Sequence, residues 1–123
     1  MRAGVLVAIV FGLALVGCSS ENPSSSDGAP FEVSGPAVAT DQVDLPRSYR
    51  FSPEVITVVP GTTVTWTNSD DFPHNVHLLD GSAVTKDLPI GESATITFSE
   101  PGIIYYECSI HPQQMRGKIA VEG

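Results

Sequence analysis

Sulfur and imidazole are scarce in this chain: 123 residues include two cysteines, two methionines and three histidines. Two cysteines permit one disulfide at most, so the fold cannot depend on a framework of bridges. Basic residues are few as well, six against fourteen acidic ones, for a formal charge of −8. That balance argues against nucleic acid, whose binders present a basic face, and favours encounters with basic surfaces. No stretch shows helical periodicity of useful length, and no internal repeat is visible. Neither G-x-S-x-G nor H-E-x-x-H occurs, and there is no nucleotide-binding loop, so hydrolytic and nucleotide chemistry lose their usual motifs. The apolar run at residues 5 to 16 is too short to cross a bilayer.

That run reads instead as part of a leader. Arg2, the apolar stretch and the small-residue end L-V-G-C at 15 to 18 make a secretory signal peptide. The last four residues resemble the bacterial lipobox, which implies cleavage before Cys18 and lipid on the Cys18 thiol. Residues 1–17 are then the signal peptide. Residues 18–30 are the lipidated cysteine and a flexible Ser/Pro/Gly linker, and 31–123 the folded domain. The expected location is outside the cytoplasm, anchored to the outer face of the cell membrane or to the periplasmic side of an envelope membrane. A lipid-bearing Cys18 leaves Cys108 without a partner. A free thiol in an oxidising compartment is a liability unless it is buried or bound to something.

What is present in quantity is valine and threonine, in short alternating stretches between turn residues. F-E-V-S at 31 to 34 and A-V-A-T-D-Q-V at 37 to 43 are plausible strands. E-V-I-T-V-V at 54 to 59 is strand-like, and P-G at 60 and 61 is a turn. T-T-V-T-W-T-N at 62 to 68 puts Val64 and Trp66 on one face and threonines on the other. H-N-V-H-L-L at 74 to 79, S-A-T-I-T-F at 93 to 98, I-I-Y-Y-E-C at 103 to 108 and G-K-I-A-V at 117 to 121 complete the set. One domain of about this length, built from such strands, predicts an all-β, antiparallel Greek-key β-sandwich. Trp66 and Phe98 belong in its core; of Tyr105 and Tyr106, which alternate, one should. Asp70 and Asp71 read as a solvated loop.

The scarce donors are not scattered. Cys108, His111 and Met115 fall within eight residues, C-S-I-H-P-Q-Q-M. A thiolate, an imidazole and a thioether form a soft set, suited to copper far better than to calcium or magnesium. Zinc accepts Cys and His, but its structural sites normally have four strong donors, and a thioether is a poor one. One more imidazole completes the His2Cys set with a weak axial Met. His74 and His77 are the candidates, and their odd separation points them to opposite faces of a strand. His74, at the strand's start after Phe72-Pro73, is placed where loops gather, and is the expected ligand. A Cys108–His111 nucleophile pair would leave Met115 without a role.

Residues 51 to 121 resemble the type I (blue) copper cupredoxins, a family that includes plastocyanin, pseudoazurin, halocyanin and amicyanin. The likeness rests on F-S-P-E-V-I-T-V-V-P-G-T-T-V-T-W-T-N, on D-F-P-H-N-V-H and on Y-E-C-S-I-H-P-Q-Q-M-R-G-K-I-A-V. It implies the cupredoxin fold and one copper per chain, cycling between Cu2+ and Cu+. It carries ligand roles onto His74, Cys108, His111 and Met115. It makes His77 a familiar non-ligand and Asn75 the residue that ties the two ligand segments by hydrogen bonds. Three residues separate His111 from Met115, one fewer than in plastocyanin-like loops and one more than in amicyanin-like loops.

The reading that follows is a membrane-tethered, monomeric one-electron carrier, not an enzyme, whose partner is a redox protein such as a cytochrome or a membrane oxidoreductase. A small apolar collar of Ile110, Pro112 and Pro73 around His111 suits a transient contact with it. The rival is copper storage or delivery with the same ligands, and a further one is a copper-free adhesion-like sandwich.

Overall fold

In the stretch from Thr62 to Asn68 the side chains of Val64, Trp66 and Asn68 are buried and those between them are not, and the whole stretch is one strand. The computed structural model describes residues 29–123. The leader and Cys18 lie outside the described residues. Eight strands are present: β1 (Val38–Ala39), β2 (Gln42–Leu45), β3 (Val55–Val58), β4 (Thr62–Asn68), β5 (His77–Leu78), β6 (Ser93–Phe98), β7 (Gly102–Glu107) and β8 (Arg116–Val121). They form two sheets, ordered β1-β3-β8-β7-β5 and β2-β4-β6.

The inward faces follow the alternation. Val64 and Trp66 of β4, Phe98 of β6, Tyr106 of β7, and Ile119 and Val121 of β8 join one buried cluster with Leu45, Phe51 and Ile56. Each such large side chain taken out of water contributes about 1.5–3 kcal/mol. On the outer face of β4–β6, directly opposed hydroxyls pair: Thr63 with Thr97 and Thr67 with Ser93, each at 2.8 Å. The Pro60–Gly61 turn needs its glycine, whose φ is +91° in the left-handed region. Of the two adjacent tyrosines, Tyr106 faces inward, and burial pushes its hydroxyl pKa above the ordinary value.

Four details differ from the sequence reading. The stretch from 37 to 43 divides between β1 and β2, which lie in different sheets. The sheets are mixed rather than purely antiparallel: β1–β3, β2–β4 and β3–β8 run parallel. From β2 to β6 the chain changes sheet at every connection, so β2 meets β4, and β4 meets β6, across an intervening strand of the other sheet; the first of these pairs is parallel and the second antiparallel. Residues 31 to 34 form no strand; Phe31 instead sets its ring edge-on to Tyr105, 5.5 Å away, beneath the Arg116 guanidinium. The stretch from 74 to 79 is strand only at His77–Leu78. Its earlier part is held by a facing loop, through His74 N to Leu88 O (3.2 Å) and Leu88 N to His74 O (2.7 Å).

Candidate metal centre

Three connections meet at one end of the sandwich: residues 46 to 54 after β2, 69 to 76 after β4, and 108 to 115 after β7. Asn68, the buried last residue of β4, shapes the second of them. Its Nδ2 donates to the carbonyls of Phe72 and Leu88, at 2.8 and 2.7 Å, and its Oδ1 accepts the Asp70 N–H at 2.8 Å. An amide that satisfies three backbone groups holds a loop firmly. The loop so held delivers His74 to the interior.

Cys108 leaves β7 on the same inward side as Tyr106, two residues earlier, and is fully buried and unpaired. Its Sγ lies 3.8 Å from His74 Nδ1 and accepts the Asn75 N–H at 3.5 Å. The loop beyond Cys108 closes on itself. His111 N donates to Cys108 O (3.1 Å), Met115 N to His111 O (3.0 Å), and Cys108 N to Met115 O (3.1 Å). Met115 is thereby turned inward and buried, while His111 stays part-exposed with its ring centre 5.4 Å from that of His74. Among the described residues no three histidine, cysteine or carboxylate side chains make a ready-closed cage. The nucleus is the His74–Cys108 pair, with His111 beside it.

The spacing suits an ion. The 3.8 Å between Cys108 Sγ and His74 Nδ1 leaves room for one ion to bond both atoms. The donors are soft, as copper prefers. His74 presents Nδ1 because its other nitrogen is taken: Nε2 sits 2.8 Å from Asp70 Oδ2. With a carboxylate there, Nε2 carries the proton and Nδ1 keeps its lone pair. The His74 hydrogen bond also holds the Asp70 carboxyl below the usual carboxylate range, against the opposing effect of burial.

Asp70 corrects the sequence reading. It is 3% exposed and is no part of a solvated loop. An acid four residues before a candidate ligand was the available signal, but the same spacing occurs by chance in any acidic chain. Asn75 joins the two donor segments: its Oδ1 accepts the Ser109 N–H at 2.8 Å, and its Nδ2 donates to Ser109 Oγ at 2.7 Å and Asp87 Oδ1 at 3.2 Å. His77 points the other way, part-exposed, with Nδ1 3.7 Å from Glu107 Oε1. Phe72, exposed by 53%, and Ile110, by 41%, add apolar surface near His111. Tyr49, unremarked in the sequence, packs on His111 with ring centres 4.6 Å apart.

Comparison with known proteins shows the family. The family described as copper binding proteins, plastocyanin/azurin family, matches residues 39–122. Amicyanin-alpha of Methylorubrum extorquens is 33% identical over 120 residues, spanning 94% of this chain and 98% of the relative. Amicyanin of Paracoccus denitrificans is 39% identical over 105 residues, 81% and 76% of the two chains. A purple cupredoxin from Nitrosopumilus maritimus superposes with a TM-score of 0.60 at 31% identity, covering 66% of this chain and 98% of that one. The strands, the buried thiol beside a carboxylate-backed imidazole, and these likenesses converge: the chain belongs to the plastocyanin/azurin family of copper binding proteins, the cupredoxins.

Proposed function

We propose that this chain is a one-electron carrier whose single copper is held by His74 Nδ1, Cys108 Sγ, His111 and Met115. The observation that carries the reading is the buried Cys108 sulfur 3.8 Å from the buried His74 Nδ1. The likeness to amicyanins supports it. When bound, copper supplies the one-electron couple. The protein's part is to keep the donors still. Cys108 is anchored at a strand end and hydrogen-bonded from Asn75, His74 is backed by Asp70, and the 74–75 and 108–109 segments are laced together by Asn75. Ligands that barely move between oxidation states leave little to reorganise during transfer. His111, part-exposed amid Phe72, Ile110 and Pro112, is the edge through which a redox partner would exchange the electron.

A delivery protein must let a recipient reach its ligands. Cys108, His74 and Met115 are fully buried, which favours retention over release. The deciding experiment is the visible and spin-resonance spectrum of the copper-loaded protein, with its voltammogram. Intense thiolate-to-copper absorption with a reversible couple is expected. Colourless Cu(I), handed readily to a chelator, would move the reading to delivery.

Asp70 should govern how firmly copper is kept. Asp70→Asn removes the charge that orients and enriches His74, and changes of this kind lower metal affinity about 10- to 100-fold. Chelator competition measures it; an unaltered affinity would make the Asp70–His74 contact merely structural.

The carrier is also proposed to be exported and tethered through Cys18, on the strength of L-V-G-C at 15 to 18. Expressed with its leader, the chain should fractionate with membranes and incorporate labelled fatty acid, and Cys18→Ser should do neither. Labelling that survived the substitution would refute the tether.

A further inference from the structure

Ser48 and Tyr49 are the two non-glycine residues among those described with left-handed backbone, at φ of +94° and +52°. They are consecutive. Bulky side chains avoid this region, and a strained pair persists only where the surroundings over-determine it. Here they do. Asp44 and Ser52 close the base of the 45–51 loop with two backbone hydrogen bonds of 2.8 Å. Leu45 and Phe51 bury the two ends. Ser69 N donates to Leu45 O at 3.0 Å, Ser69 Oγ to Asp44 Oδ1 at 2.5 Å, and an exposed Arg47–Asp71 ion pair of 2.9 Å adds a further link to the neighbouring loop.

The product of this construction is the placement of one ring. Tyr49 meets His111 edge-on, at 4.6 Å and 68°. It stacks on Phe72 at 5.8 Å and 25°, and lies edge-on to His74 at 5.9 Å. His111 is the proposed ligand with the least protein around it, held by its backbone in a loop of its own making. Nothing else aromatic among the described residues touches its ring except His74.

We propose that Tyr49 is a positioning residue for the copper centre: its ring braces the His111 imidazole against swinging out of the ligand set. The inference rests on the ligand reading above and adds to it a residue that the ligand set does not contain. The ring makes these contacts, so phenylalanine should serve in its place. Phe72 stacks on Tyr49 and makes no ring contact with His111, so its loss should matter less.

The test uses the full-length copper-loaded chain and its Tyr49→Ala, Tyr49→Phe and Phe72→Ala variants. Three quantities are read: Cu(I) loss to excess bicinchoninate, the Cu(II) spin-resonance signal, and melting of the metal-free protein. Tyr49→Ala is expected to release copper about 10- to 100-fold faster, the range for losing a group that orients a ligand, with an altered copper hyperfine splitting. Tyr49→Phe should stay within about twofold of the parent, since the braced atoms are unchanged. If Tyr49→Ala does not fold, Tyr49→Leu, which keeps apolar volume but no flat ring, carries the same expectation. Parent-like release and spectrum in a blue Tyr49→Ala or Tyr49→Leu protein would overturn the brace alone. So would equal losses in Tyr49→Phe and Tyr49→Ala. A parent chain that binds no copper would overturn the ligand reading and the brace with it.

Discussion

Cys108→Ala should give a folded protein that takes up no blue colour from copper. The intense visible band of a copper–thiolate centre needs the sulfur as its electron donor, and Cys108 is the one cysteine in the described residues. The substitution removes a single buried atom, at a cost to the fold of about 1 kcal/mol. Circular dichroism should therefore be unchanged while the band is lost entirely. The contrast is His77→Ala. His77 lies on the opposite face, part-exposed and 3.7 Å from Glu107, so this variant should remain blue. Absorption spectra of both, copper-loaded, check the pair of outcomes. Colour retained in Cys108→Ala sinks the ligand assignment; colour lost in His77→Ala moves the first imidazole from His74 to His77.

The largest effect on stability is expected from one added methyl group, Gly117→Ala. Gly117 lies directly opposite Tyr106 on β7–β8. A Cβ there would stand 2.2 Å from Tyr106 Cζ, 2.4 Å from its Oη and 2.6 Å from its Cε1. No side chain fits at those distances, so the ring has to move. It has nowhere to go: Phe51 and Trp66 meet it edge-on at 4.6 and 5.5 Å, and all three are fully buried. Glycine in a strand marks this kind of close approach. Overpacking of a tight core costs about 1–3 kcal/mol and occasionally more, and the upper end is expected here. For a domain of this size 3 kcal/mol lowers the melting temperature by roughly 12–24 °C. Calorimetry of the metal-free protein measures it. A shift of only a degree or two would mean that Tyr106 has an unseen way out. The consequence reaches the site, because Cys108 follows Tyr106 on the same face and displacement of the ring would disturb the thiol.

The donor loop and the Gly117–Tyr106 contact rest on different kinds of information. Cys108, His111 and Met115 stood out in the sequence because a single loop carries all three, and a loop's contents are local. The burial of Val64 and Trp66 was legible for a similar reason: alternation along β4 depends on residues two apart, and the pleat converts that spacing into a face. His74 over His77 could be argued from parity and from Pro73 before it. Tyr106 over Tyr105 could not, since either phase of alternation left one tyrosine inside. The shortened strand at His77–Leu78 was missed because its apolar pattern continues while its hydrogen bonds pass to the loop around Leu88.

The sequence by itself determined the longer strands, their inward faces, the turns and a soft donor set, because each depends on neighbours a few residues away. The tertiary structure alone decided which strands pair and in which direction, since a turn signal marks where the chain reverses but not which sheet receives it. It alone buried Asp70 behind His74, set Tyr49 against His111 and pressed Tyr106 onto Gly117. Those contacts join residues far apart in the chain, or turn on a loop's path through space. No local pattern encodes them, for burial and contact are properties of what packs around a residue, not of its place in a series.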